Sequence, residues 1–407
     1  MQPTLTTLAR TFLAIGLMSF GGPAAQIALM HRILVDDRRW LTERQYLDAL
    51  GFCMLLPGPE AMQLCTWCGW RLRGWRGGLI AGGLFVAPGA LLILALAAAY
   101  VAYGDLPAVQ TAFVGIKAAV LVVVAQALAK LARRALTTGT HIAIAVLSFA
   151  AIFFLDIPFP AIVAAAALWG ALVAGGAPSP VRPADASVTR TVVILAVGAT
   201  LWLAPFAVLD GRLAEIGAFF SRLALVSFGG AYAGLAYMAQ DLVAVQGWLT
   251  PEQMVDALGL AETTPGPLIL VTQFAGYLAA APLGPGPAVA AAALTLWVTF
   301  VPSFAWIFAF APWIDRIAAA PRLAGALAGI TAAVVGVVAN LSLWFALHTL
   351  FGTVTRETVG PLVLQTPALA TLDWRVLPLA ALAWLILTRA PLPFTLLACA
   401  ATALILP

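Results

Sequence analysis

Apolar runs of membrane-spanning length recur along nearly the whole chain, at residues 77–101, 107–134, 139–155, 158–174, 190–209, 286–310, 322–348, 374–388 and 391–406. A helix needs about 20 apolar residues to cross a bilayer, so these nine runs predict transmembrane helices. Four more apolar segments are interrupted. Residues 5–38 and 214–238 break at Ser-Phe-Gly-Gly, and residues 44–72 and 250–277 break at Pro-Gly-Pro. Proline removes a backbone donor and clashes with the preceding turn, while glycine frees φ. The half-helices beside Pro-Gly-Pro are about 13 residues long, short for a full crossing. Each interrupted segment is therefore a re-entrant hairpin or a discontinuous span.

The breaks repeat. At an offset of 208, Ser19-Phe20-Gly21-Gly22 falls on Ser227-Phe228-Gly229-Gly230 and Trp40-Leu41-Thr42 on Trp248-Leu249-Thr250. Asp48-Ala49-Leu50-Gly51 falls on Asp256-Ala257-Leu258-Gly259, and Pro57-Gly58-Pro59 on Pro265-Gly266-Pro267. Across residues 12–63 there are 22 identities in 52 ungapped positions, among Gly, Pro, Trp and Asp residues that shared hydrophobicity would not align. At an offset of 214, the stretch 115–120 matches 329–334, with Lys117 on Thr331. The organisation is a first repeat at 1–174, a polar linker with one extra apolar run at 175–209, and a second repeat at 210–407. One added span inverts the second repeat relative to the first, as in many duplicated transporters. The same recurrence argues against a cleaved signal peptide at 12–20, because its copy lies mid-chain.

Composition restricts the class. Only 9% of residues are charged and 63% are hydrophobic, against about a quarter charged in soluble domains. A soluble enzyme, a nucleic-acid binder and a disordered chain are excluded; the partner is the lipid bilayer. Basic residues then report orientation, since basic loops stay cytoplasmic. With all four broken segments as hairpins, sixteen basic residues fall inside and four (Arg212, Arg222, Arg356, Arg375) outside, with Lys117 within a span. With single crossings, Arg32, Arg38, Arg39 and Arg44 move outside and the tally drops to twelve against eight. The tally favours hairpins. Either arrangement predicts a cytoplasmic N-terminus and an external C-terminus, with about thirteen membrane segments in all.

Candidate chemistry lies at the breaks and at Lys117, the lysine mid-way along apolar 107–128. Irregular backbone at membrane depth survives where protein or a water-filled cavity satisfies it, and a half-helix N-terminus aims N–H groups and a positive dipole end into such a place. That suits an anion and points to Ser19, Gly21, Gly22, Pro57, Gly58 and Pro59, and to Ser227, Gly229, Gly230, Pro265, Gly266 and Pro267. Gln63 and Gln273 are polar groups able to hydrogen-bond an oxyanion; Gln126 and Asn340, equivalent in the repeat, join either the site or helix packing. A lysine mid-membrane costs roughly 2.5–3.5 kcal/mol, so Lys117 should face a cavity or an acid partner. It is the expected counter-charge for an anion. Glu60 opens a half-helix, where a carboxylate also serves as a cap. Glu262 closes one, where the dipole opposes it; it is expected to be protonated or paired, and a candidate for proton coupling. Asp48 and Asp256 are read as fixing the Trp-Leu-Thr turn to its half-helix.

Cys65-Thr-Trp-Cys68 has redox spacing but lies in an apolar helix and reads as packing, as do Cys53 and Cys399. His31, His141 and His348 do not cluster. Metal-ligand spacing, nucleotide loop and catalytic triad are absent from the sequence, so no metal and no cofactor is expected, and ATP-driven transport would need a partner subunit.

Phe20-Gly21-Gly22-Pro23, Pro57-Gly58-Pro59-Glu60 and Glu262-Thr263-Thr264-Pro265-Gly266-Pro267 resemble the motifs of the chromate ion transporter family. The resemblance covers nearly the whole chain. It implies the family's long form, two homologous antiparallel halves with thirteen membrane segments; half-length forms of the family work as pairs. It also implies export of chromate from the cytoplasm across the plasma (inner) membrane, conferring resistance. Chromate is a tetrahedral dianion close to sulfate in shape, so a transporter of sulfate or another oxyanion is the alternative, and a membrane-embedded enzyme acting on lipid a remoter one. The overall expectation is an all-α polytopic membrane protein of two inverted repeats. It would be a secondary active carrier coupled through Glu60 and Glu262 to protons or a counter-anion, with room for a homodimer.

Overall fold

The computed structural model describes residues 3–174, 187–228, 231–314 and 320–406. Gly229 and Gly230, Arg182 and Arg316 lie outside the described residues. The chain is a helical membrane protein. Among the described residues, five helices are long and apolar enough to cross a bilayer: Glu60–Tyr103, Pro107–Ala135, Val188–Ala207, Pro285–Trp313 and Pro321–Leu350.

Helix α1 (Leu5–Met18) starts on the Thr4 hydroxyl, which accepts from the Thr7 amide at 3.2 Å. It ends at the Ser-Phe-Gly-Gly break, where Gly21 and Gly22 take φ of +84° and +77°. Helix α2 (Gly22–His31) restarts with Pro23 in its first turn, then widens into a π-helical turn, Arg32–Asp37. Helix α3 (Glu43–Cys53) carries a full capping box, the Thr42 side chain on the Gln45 amide and the Gln45 side chain on the Thr42 amide. After Pro57-Gly58-Pro59 comes α4 (Glu60–Tyr103), kinked at Arg73 and Gly74, the latter at φ +62°.

The second repeat copies much of this run. Helix α9 (Gly211–Val226) corresponds to α1 and α10 (Ala231–Met238) to α2; a second π-helical turn follows at Ala239–Val245. In each copy a tryptophan amide closes the π turn: Trp40 donates to the Leu34 carbonyl at 2.8 Å, Trp248 to Leu242 at 2.9 Å. Helix α11 (Pro251–Thr263) has the same reciprocal Thr250–Gln253 cap, at 3.2 and 2.9 Å. The repeat read from the sequence is therefore a structural repeat.

The remaining helices are α5 (Pro107–Ala135), α6 (Gly139–Leu155), α7 (Phe159–Val173), α8 (Val188–Leu203), α12 (Val271–Ala280), α13 (Pro285–Phe310), α14 (Pro321–Leu350), α15 (Val376–Leu387) and α16 (Leu392–Ala403). All nine uninterrupted apolar runs are thus helical. Helices α6, α7, α15 and α16 are short for a full crossing, at 17, 15, 12 and 12 residues. One element departs from the all-helical pattern. Strands β1 (Val354–Val359) and β2 (Leu362–Pro367) pair antiparallel, with Arg356 opposite Gln365 and Gly360 turning the chain at φ +60°. The Arg356 guanidinium reaches the Asp156 carboxylate at 2.5 Å.

Contacts divide the chain into two units, each drawing on both repeats. The first comprises Met1–Ala98, Gly176–Gly234 and Thr264–Leu323. At its centre α13 packs on α8, α9 and α12. The extra helix α8 is pinned to α13 by crossed tryptophans: Trp202 Nε1 donates to the Val298 carbonyl at 3.0 Å and Trp297 Nε1 to the Leu201 carbonyl at 2.8 Å. The second unit comprises Ala99–Gly175, Leu235–Thr263 and Ala324–Pro407. There α5 packs on α11, α15 and α16, around Ala118, Val376, Leu379 and Ala403.

Candidate functional site

In the first unit the breaks of the two repeats interlock. The Gly58 amide donates to the Ser227 carbonyl at 2.8 Å, and the Gly266 amide to the Ser19 carbonyl at 2.9 Å. Each Pro-Gly-Pro turn thus closes on the Ser-Phe-Gly-Gly break of the other repeat. A buried orphan carbonyl would be costly, and the exchange satisfies both breaks at once. Gly58 and Gly266 sit at φ +116° and +97°, where a side chain is strained. A Cβ on Gly58 would also lie 2.6 Å from the Ser303 hydroxyl.

The predicted polar groups at the breaks spend hydrogen-bond donors on the protein itself. The Ser19 and Ser227 hydroxyls donate back to Ile15 and Leu223, at 2.6 and 2.7 Å, and so finish α1 and α9. Gln63 Nε2 donates to the Pro57 carbonyl at 2.7 Å, Gln273 Nε2 to Ala90 at 3.0 Å, and Gln26 Nε2 to Gly266 at 2.7 Å. All three glutamines are buried, and each keeps its Oε1 without a hydrogen-bond partner among the described residues. Among the described residues, buried donors without a hydrogen-bond partner include the Trp67 indole N–H and the Thr299 hydroxyl. Glu60 is the first residue of α4, and Glu262, 3% exposed, lies one residue before the end of α11.

Lys117 has the acid partner its position demanded, and that partner is Asp256. The Lys117 ammonium lies 2.9 Å from Asp256 Oδ1, and the Tyr100 hydroxyl donates to Asp256 Oδ2 at 2.7 Å. The carboxylate is 6% exposed. Helices α5, α4 and α11 each contribute one member. This corrects the reading of Asp256 as a turn lock: the Thr250–Gln253 cap holds that turn, and Asp256 faces away to α5. Lys117 opens on an irregular cleft of about 640 Å³, shared with Glu252, His348, Thr371 and Arg375. Arg375 is already held by Asp373, both nitrogens at 2.9 Å. That contact keeps the Asp373 carboxyl, in the loop before α15, below its usual range. Gln126 and Asn340 do not join Lys117; Asn340 lines a separate small cavity near Asp156 and Gln240. Among the described residues no group of three or more His, Cys, Asp or Glu could hold a metal ion.

Sequence reasoning missed Asp256, Tyr100, Gln26 and Ser303 as members of these clusters. No local signal separates Asp256 from Asp48, since each has a charged residue four positions before it, Glu252 and Arg44. A signal for Ser303 existed, since Pro88 and Pro302 are 214 apart inside α4 and α13, with Gly89 and Ser303 following them.

Comparison with known proteins agrees with this architecture. The profile of the chromate transporter family matches residues 6–171 and 214–405, one match on each repeat. The chain is 34% identical over 341 residues to a chromate transport protein of Pseudomonas aeruginosa, covering 80% of this chain and 77% of that protein. It is 31% identical over 343 residues to a chromate transport protein of Cupriavidus metallidurans, covering 82% and 81%. It is 29% identical over 364 residues to a probable chromate transport protein of Synechococcus elongatus, covering 83% of each. No solved structure matches the chain. With a match on both repeats and relatives aligned along four-fifths of its length, the chain belongs to the chromate transporter family.

Proposed function

We propose that this protein exports chromate from the cytoplasm across the plasma membrane as a secondary active carrier, with its N-terminus inside, its C-terminus outside and its repeats inverted. The observation that carries the reading is Lys117, a cation in an apolar helix that opens on a cleft and is paired to the Asp256 carboxylate, which a phenol holds in turn. A charge there is expensive to keep and marks a transport path. The electrical sense fits export. An inside-negative potential drives a dianion outward by about 2.3 kcal/mol per charge for every 100 mV. Glu60 and Glu262 are the candidates for adding a proton or counter-anion to that driving force.

The test is uptake of radiolabelled chromate into everted vesicles, with unlabelled sulfate as competitor. Wild-type protein should accumulate chromate inside, and Lys117→Ala should abolish the uptake. Normal uptake by Lys117→Ala would refute the role of the lysine. Uptake of sulfate in preference to chromate would move the substrate to the broader oxyanion class, because a tetrahedral dianion of similar size meets the same donors. Glu262→Gln should flatten the pH dependence of uptake; an unchanged profile would remove Glu262 from coupling.

A further inference from the structure

The Lys117–Asp256–Tyr100 cluster has a property that a plain counter-charge does not need. Asp256 Oδ2 accepts the phenol hydroxyl at 2.7 Å, and Oδ1 forms an ion pair with the ammonium at 2.9 Å. Two neighbouring oxygens of a tetrahedral oxyanion would be held in the same way. The residue that makes this mimicry sits on α11, the half-helix before a Pro-Gly-Pro break, while the lysine sits on α5. Glu252 lies one turn earlier on α11, and His348 of α14 lines the same cleft; neither makes a hydrogen bond or ion pair to the lysine.

A second observation shows that α11 is seated on α5 at this point. Gly259, one turn beyond Asp256, lies so close that a Cβ there would be 3.0 Å from the Ile116 side chain. A third comes from the repeat. The equivalent helix α3 carries the same Asp-Ala-Leu-Gly, yet Asp48 is exposed, paired loosely to Arg44 at 3.7 Å, and a Cβ on Gly51 would meet nothing within 4 Å. The same helix motif thus has its aspartate buried and paired to a lysine in one copy and exposed in the other.

We infer that Asp256 is a resident stand-in for the substrate: it occupies the Lys117 and Tyr100 donors when the carrier is empty, and an incoming oxyanion displaces it and releases α11 from α5. Binding and movement are then one event, since the ligand binds the undocked state better by the interaction it takes over. The carboxylate also keeps Lys117 from holding the anion too tightly, because the anion must compete for it. This rests on Lys117 being the anion's counter-charge.

The experiment uses the full-length protein in nanodiscs with radiolabelled chromate. Lys117→Ala should lose binding. Asp256→Asn should bind chromate about tenfold more tightly than wild type, because a like charge has left the site. Loss of binding in Lys117→Ala with unchanged or weakened binding in Asp256→Asn would overturn the stand-in and leave the counter-charge standing; normal binding by Lys117→Ala would overturn both. Amide hydrogen exchange on the wild-type protein serves where Asp256→Asn fails to fold. Chromate should raise exchange in residues 251–263 at least severalfold, and unchanged or slower exchange there would refute release of α11.

Discussion

Helices α3 and α11 are two copies of one half-helix in different surroundings. Both begin on a Thr–Gln capping box after a π-helical turn, and both carry Asp-Ala-Leu-Gly. In α11 every residue from Met254 to Glu262 is buried, and the aspartate meets a lysine and a tyrosine. In α3 the aspartate is exposed, and only Tyr46, Ala49, Phe52 and Cys53 are buried. Local sequence therefore sets where the helix starts and which way it runs. The partner of the aspartate is set by residues far away: α11 meets Lys117, and the position equivalent to Lys117 in the other repeat is Thr331. Thr331 turns its hydroxyl back onto the Leu327 carbonyl at 2.7 Å and needs no acid.

The contrast can be broken at four places. The largest effect should come from Lys117→Ala, which leaves Asp256 buried without its cation; unfolding measured in mild detergent should show a loss of about 3–5 kcal/mol. Asp48→Asn, the matching change on the exposed copy, should stay within about 0.5 kcal/mol. Next, Gly259→Leu should cost about 1–3 kcal/mol by forcing α11 off Ile116, while Gly51→Leu should be tolerated. A smaller effect is expected for Tyr100→Phe, about 1–2 kcal/mol for the donor lost from Asp256. Smaller again, and equal in the two copies, should be Thr42→Ala and Thr250→Ala at about 1 kcal/mol each. Unequal cap effects would show that the two half-helices differ locally as well as in surroundings.

Much of this was legible beforehand because the bilayer leaves few solutions. Apolar length gave the helices, and Gly and Pro in apolar runs gave the breaks, since lipid cannot satisfy a broken backbone. Lys117 announced an acid partner by its cost. What stayed hidden were pairings across long separations. Nothing local in Asp256 says that Lys117 faces it. Gln26 looked like one polar residue in an apolar stretch, yet it reaches the Gly266 carbonyl. The β-hairpin was missed because its residues, 354–367, lie in a loop between apolar runs, where the alternating pattern is short and exposed. Ser19 and Ser227 were placed at the right joints, but their hydroxyls finish helices, a use that one sequence cannot separate from ligand contact.

The crossed closure of the breaks has a consequence for how the protein is made. Gln26 and the Gly266 carbonyl it grips are 240 residues apart in the chain. A ribosome adding about 5–20 residues per second reaches the second partner roughly 12–48 seconds after the first has emerged. Throughout that interval the first repeat sits in the membrane with its break unfinished, its serine carbonyl awaiting an amide that has not been synthesised. Insertion and maturation are thus separate stages for this chain. The machinery that shields half-made membrane proteins has its longest task at the first Ser-Phe-Gly-Gly.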